Sequence, residues 1–257
     1  MDGLQGMTVT NDKLIFMSAN NSNPNKGVMN SYKLNDFDNP YKKDYSNTGH
    51  GNGMTYNPKT DKVFVLVSPV NKTVYEYNGK TLVREKEHVS SSFPSYSAIG
   101  YDYKNDLYIG FNSGRISLYD AKNNKRLFQY STFRFETSQD LEYYNDHIFV
   151  CYSDFGIDYV YQSYSFNTGY QILYVYDAKL DNNKNPTKNF GRLKARLSMI
   201  GFGELESISF RGGYVYIGFG KNGYDFYKID INKFFKGIID IIIHKSILLF
   251  KKWKLIL

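Results

Sequence analysis

The sequence predicts an all-β chain folded as a β-propeller, with five blades of four antiparallel strands and a C-terminal apolar, lysine-rich tail. Three observations lead there. A short strand, a tight turn and a long strand recur five times along the chain. The recurrences are spaced near the ~40–45 residues that one four-stranded blade needs. The composition is that of one sheet-rich domain: of 257 residues, 42% are hydrophobic, with 25 Tyr and 19 Phe. Aromatic residues suit half-buried sheet faces, and this length supports one sizeable core.

The pattern is clearest in "GHGNGMTYNPKTDKVFVLVS", residues 49 to 68. Lys62-Val63-Phe64-Val65-Leu66-Val67 is β-branched and aromatic and reads as a buried strand. "YNPKTD" ahead of it is a turn, initiated by Asn57 and Pro58, with Asp61 suited to the tight conformation. "GLQGMTVTNDKLIFMS", "YSAIGYDYKNDLYIGF", "SQDLEYYNDHIFVCYS" and "LESISFRGGYVYIGFG" share the same order. The aligned apolar residues are Met7, Met54, Ile99, Leu141 and Ile208, at intervals of 47, 45, 42 and 67 residues. A third strand follows each time: "GVMNSYKL", "KTVYEYNG", "GRISLYDA", "QILYVYDA" and "YDFYKIDI". "TLVREKEH", "RLFQYSTF" and "RLKARLSM" supply a fourth. The long last interval reflects an insertion, residues 154 to 170, rich in aromatics from Tyr159 to Tyr170. It suits a lid, a sugar-stacking surface, or a hairpin packing its own rings.

The propeller is assigned to residues 1–232 and the tail to 233–257. The tail is apolar but interrupted by Asp240, His244 and Lys245, so it lacks the roughly 20 apolar residues of a membrane-crossing helix. "GIIDIII" reads as an outer strand of the fifth blade. "SILLFKKWKLIL" reads as an amphipathic segment with weak membrane-surface contact, or as non-native sequence. The chain begins at an inner strand, which predicts an imperfect seam between the first and fifth blades.

Net charge is +7, but the lysines are scattered over turns beside Asp and Asn. A nucleic-acid surface wants a clustered basic face with stacking aromatics, so that partner class is disfavoured. Cys151, the single cysteine, lies in the apolar run "HIFVCYS" and reads as a small buried hydrophobe. It makes no internal disulfide and fixes no redox compartment. "MDGLQGM" has no secretory pattern, consistent with a cytoplasmic protein or with a mature or truncated domain of a secreted one.

Candidate site residues follow from the repeat. Equivalent positions in radial units sit at equivalent radius and height. Two residues ahead of each aligned apolar residue stand Gln5, Asn52, Ser97, Gln139 and Glu206, all polar. With Asp140 and His50 they are expected to ring one mouth of the central channel as a ligand site. Asn and Glu oxygens suit a hard cation such as Ca²⁺, which takes about six to eight oxygens, so Glu206 and Asn52 are the candidate metal ligands. The ring carries few carboxylates, which favours no cofactor at all. His50 between glycines suits a backbone-fixing corner, a ligand contact, or a general base oriented by Glu142 or Glu204. No nucleophile elbow, phosphate loop or paired zinc-ligand spacing occurs. "GFGELE" and "GFGKNG" join strands, so they lack the helix N-terminus that cradles phosphate.

"LQGMTV" followed by "GHGNGM" resembles the paired motif of helveticin-type bacteriocins and related secreted bacterial propeller proteins, carried here by Gln5, Gly6, His50, Asn52 and Met54. That resemblance implies an extracellular protein, in some cases one acting on other bacteria. Glu206 is also similar to the acidic residue that holds Ca²⁺ at the channel mouth of gluconolactonase-type propellers. Two functions therefore compete. One is a non-enzymatic binding propeller recognising a glycan, a cell-envelope polymer or a protein. The other is a Ca²⁺-dependent hydrolase or lactonase. The low carboxylate count favours binding.

Overall fold

The computed structural model describes residues 4–19, 26–46, 51, 53–67, 73–89, 98–112, 114–123, 125–132, 138–153, 156–158, 163–165, 171–199, 204–220 and 224–236. Blade one comprises β1 (Leu4–Val9), β2 (Lys13–Ala19), β3 (Lys26–Lys33) and β4 (Asp36–Ser46). Blade two comprises β5 (Met54–Asn57), β6 (Lys62–Val67), β7 (Thr73–Asn78) and β8 (Arg84–Val89). Blade three comprises β9 (Ala98–Asp102), β10 (Leu107–Asn112), β11 (Arg115–Asp120) and β12 (Arg126–Ser131). Blade four opens with β13 (Ser138–Tyr144) and β14 (His147–Ser153). A two-stranded ribbon, β15 (Gly156–Asp158) and β16 (Ser163–Ser165), then interrupts it at the expected insertion. It resumes with β17 (Gln171–Asp177) and β18 (Leu193–Met199). Blade five comprises β19 (Glu204–Arg211), β20 (Tyr214–Gly220) and β21 (Tyr224–Asp230). Four sheets have four strands, and the fifth has three among the described residues. The expected outer strand at "GIIDIII", and the amphipathic segment after it, lie outside the described residues, as do most of the insertion's aromatics.

Recurring turn chemistry explains the blades. In three first hairpins an inner-strand tyrosine donates to a turn aspartate. Tyr56 bonds Asp61 at 2.9 Å and Tyr143 bonds Asp146 at 3.0 Å, while Tyr101 bonds Asp106. Asp61, Asp106 and Asp146 have φ of 54°, 59° and 60°, a left-handed conformation that Asp and Asn tolerate. The third strand ends on an Asx turn in four blades: Asn78, Asp120, Asp177 and Asp230 each accept an N–H from two residues on. Asp230 also accepts from Lys233 at 3.1 Å and so caps a one-and-a-half-turn helix over 231–236. Phe234 of that helix is buried against blades four and five.

The core is five separate clusters, one for each blade-to-blade interface. Ile15 and Met17 meet Met54 and Val65; Phe64 and Val74 meet Ile99 and Tyr108. Phe111 and Leu118 meet Leu141 and Tyr152; Phe149 and Cys151 meet Ile208 and Ile217. The fifth cluster joins Leu4, Met7 and Phe16 to Tyr216 and Phe226 and closes the ring. The inner strands β1, β5, β9, β13 and β19 touch in a circle, the last against the first. The chain is thus a five-bladed β-propeller.

The closing interface is packed and bonded, although the fifth blade has three strands among the described residues. Met7 N–H donates to Ser207 Oγ at 3.0 Å, Val9 N–H donates to Ser209 Oγ at 3.1 Å, and Arg211 bonds Asn11. The β19 serine hydroxyls bond the backbone of β1.

Candidate functional site on the propeller axis

Strand alternation decides which residues reach the axis. One residue ahead of the aligned apolar set stand Gly6, Gly53, Ala98, Asp140 and Ser207; one residue after stand Thr8, Thr55, Gly100, Glu142 and Ser209. These two layers, on one face of each inner strand, fill the centre. A Cβ on Gly6 would meet Gly51 O at 2.7 Å, and one on Gly53 would meet Ile99 N at 2.9 Å. Gly53 also has φ +83°. The small residues of blades one to three leave room for the one long polar residue of the layer, Asp140.

Asp140 is 0% exposed. Its carboxyl accepts Leu141 N–H at 2.8 Å, the N–H groups of Ile208 and Met54, and the Ser207 hydroxyl. Ser207 in turn lies 3.0 Å from the Met7 carbonyl oxygen. Blades two and four are not neighbours, so the bond to Met54 crosses the axis. Glu142 does the same one layer down: its Oε1 accepts the Thr55 hydroxyl at 3.2 Å and Tyr143 N–H at 3.1 Å. The axis is a polar plug. Burial pushes Asp140 well above the usual carboxylate range, and its four donors offset that in part. Burial, and then the neighbouring Asp140 charge, push Glu142 up as well.

The upstream mouth holds the residues expected to form the ligand ring. Strand register shifts at Gln5, across Gln139–Asp140 and at Glu206, so three of the five positions are bulges. Gln139 donates to Glu204, which contacts Glu206, so these two ring residues are brought together through a residue between them. Glu206 is 3% exposed, and its Oε2 has no partner among the described residues. Burial first, then Glu204 and Asp140, push its pKa well up. Gln5 turns its amide to its own neighbour, the Leu4 carbonyl, at 3.0 Å. Asp140 lies below the mouth inside the plug. His50, Asn52 and Ser97 lie outside the described residues. Among the described residues no three His, Cys, Asp or Glu side chains gather closely enough to hold a metal ion.

The downstream end, which the sequence reading passed over, is open. A cleft of about 540 Å³, its open mouth included, lies where the inner strands leave the axis. All five blades line it. Thr8, Glu142 and Ser209 belong to its polar floor; Tyr56, Tyr143, Tyr144 and Phe210 stand around it; Tyr103 and Arg211 are at the rim. Thr8 Oγ1 is buried without a partner among the described residues. Tyr103 is 39% exposed. Arg211 lies over the Tyr56 ring, 5.2 Å from its centroid. Tyr56, buried and bonded to Asp61, has its hydroxyl pKa pushed up to about 12. The signal was in the same alignment, three residues beyond the ring position, where Thr8, Thr55, Glu142 and Ser209 are polar in an otherwise apolar strand.

His88 is a second surprise. In the charged outer strand β8 it is nonetheless buried, with Nε2 2.8 Å from Glu76 Oε2 and its ring 6.3 Å from that of Phe64.

No known family pattern matches the sequence, and no curated protein matches it. Among solved structures the crystal structure of RRP9 WD40 repeats is similar, with a TM-score of 0.48 and 6% identity over 89% of this chain and 77% of that one. The five-bladed ring stands on strand pairing and on the five interfaces, and no ligand is carried over from that structure. No helix among the described residues is long and apolar enough to cross a membrane.

Proposed function

We propose that the protein is a non-enzymatic binding module that takes its ligand at the downstream end of the propeller axis, the ligand being a glycan, a cell-envelope polymer or a protein. One observation carries this: all five blades deliver side chains to a single cleft with a polar floor and an aromatic rim. Concave sites with a few convergent polar groups among apolar walls are where small ligands bind. The similarity to helveticin-type bacteriocins adds the proposal that the polymer belongs to another bacterium's envelope. Co-sedimentation with purified bacterial cell walls tests the reading. Wild-type protein is expected in the pellet and the Tyr103→Ala, Arg211→Ala double variant in the supernatant. A double variant that pellets as fully as wild type moves the site away from the cleft.

A second reading is favoured by the upstream mouth. Glu204 and Glu206 are in contact, and one Glu206 oxygen is buried without a partner among the described residues. A Ca²⁺ ion there, with Asn52, would ionise both carboxyls and supply a Lewis acid for a hydrolase or lactonase. A ligand at ~100 times its Kd stabilises by about 2.7 kcal/mol, so millimolar Ca²⁺ should raise the Tm of wild type but not of Glu206→Gln. Equal Tm values with Ca²⁺ and with chelator count against the ion.

A further inference from the structure

Resting on the downstream cleft as the ligand site, we propose that it binds one uncharged sugar ring at the end of a glycan. Glu142, Thr8 and Ser209 take the ring hydroxyls, and Tyr103 stacks on the ring's apolar face. Hydrogen bonding, charge and the rim each contribute to the assignment.

A long polymer cannot pass through the cleft, because Glu142 is part of the floor and Asp140 fills the axis behind it. The ligand therefore presents an end.

Floor chemistry suits hydroxyl groups. Thr8 Oγ1 is buried with no partner among the described residues, and an unbonded buried hydroxyl is destabilising. A ligand hydroxyl relieves that. Ser209 Oγ accepts Val9 N–H at 3.1 Å and so has its own proton to offer. Both bonds into Glu142 run to Oε1, leaving Oε2 for the cleft. A hydroxyl is donor and acceptor at once, and so is a sugar ring at every carbon that bears one.

Charge separates the sugar from its rivals. A cationic ligand would meet Arg211 at the rim, already seated over Tyr56 and bonded to Asn11. An anionic ligand would meet a floor of Thr8, Ser209 and the Glu142 carboxyl, with no cation among them. An uncharged ring of hydroxyls avoids both. The half-exposed Tyr103 supplies the flat apolar surface that the C–H face of a pyranose covers.

Saturation-transfer NMR and calorimetry test this on the full chain. Cellotetraose, mannotetraose and tetra-N-acetylchitotetraose serve as neutral probes, tetragalacturonate as the anion and tetramethylammonium as the cation. The expected result is one-site binding of at least one neutral probe. Tyr103→Ala should weaken it about tenfold or more, and Glu142→Gln, whose amide also donates and accepts, about threefold. Thermal melts confirm that each variant is folded. Tetramethylammonium binding that vanishes in Glu142→Gln overturns the sugar while keeping the cleft. Tetragalacturonate binding that vanishes in Arg211→Ala does the same. Neutral-probe binding that survives both Tyr103→Ala and Thr8→Val overturns the sugar assignment and the cleft together. Silence from all three neutral probes overturns the sugar.

Discussion

At the upstream end of the axis the polar side chains turn to one another; at the downstream end they turn to a cleft. Both ends are built from the same five inner strands, a few residues apart. Upstream, Gly6, Gly53 and Ala98 leave a small space that Asp140 fills, and the Ser207 hydroxyl and three N–H groups close around its carboxyl. Downstream, Tyr103, Tyr144 and Arg211 line a cleft together with Thr8, Glu142 and Ser209. Polarity alone does not mark a binding end.

That contrast implies that upstream changes act on stability and downstream changes on binding. The largest effect is expected from Asp140→Ala. It strands three N–H groups in a dry centre, at about 1–3 kcal/mol for each group left unbonded, so a loss of roughly 3 kcal/mol or more is expected in urea unfolding. Asp140→Asn, which keeps an acceptor oxygen, should lose clearly less. Equal losses would mean that volume, not hydrogen bonding, holds the plug. Gly53→Ala comes next, at about 2–3 kcal/mol, because its φ of +83° and the 2.9 Å approach to Ile99 N both oppose a Cβ. A loss under ~1 kcal/mol would show that the inner strands can part there.

Glu206→Gln should act in the opposite direction, and only at the right pH. Burial raises the folded-state pKa of Glu206, while the unfolded carboxyl ionises near ~4.3. The folded state therefore holds the proton longer, and stability falls as pH rises from about 4.3 towards the raised value. With chelator present, the variant should melt a few degrees above wild type at pH 7, at ~2–4 °C per kcal/mol for a chain of this size, and level with it at pH 4. A variant that melts lower at pH 7 would mean that the charge is stabilised by a partner. The smallest effect on stability belongs to Tyr103→Ala, within about 0.5 kcal/mol of wild type, since the side chain is 39% exposed. A larger loss would make the rim part of the core and erase the contrast.

The blades were legible because each is a contiguous stretch with its own punctuation. Met7, Met54, Ile99, Leu141 and Ile208 all fall in inner strands, as the alignment requires. The insertion was legible as an excess of length, and it is a ribbon between β14 and β17. Side-chain direction was harder. Gln5 and Glu206 sit at bulges, where one extra residue breaks the alternation that links position to face. Asp140 looks like an exposed acid in "SQDLEYY", and only the small residues of other blades, from Gly6 to Ala98, make it internal. Nothing within blade four announces that. The cleft was missed for the same reason: Thr8, Glu142 and Ser209 are separated by up to 201 positions, and they converge only when the five inner strands close into a ring.

The closing serines bear on the order in which the molecule comes together during synthesis. Every blade is local in sequence, so each can form as soon as its ~45 residues have emerged, at ~5–20 residues per second. The bonds from Met7 and Val9 to Ser207 and Ser209 span 200 residues. Until β19 is made, the open edge of β1 keeps those two N–H groups solvated or offers them to another chain, as unpaired strand edges do. A nascent arc of four blades is therefore the species most exposed to mispairing with its own copies. Ribosome-bound chains arrested before residue 204 should engage holdase chaperones that chains arrested well beyond residue 236 no longer need.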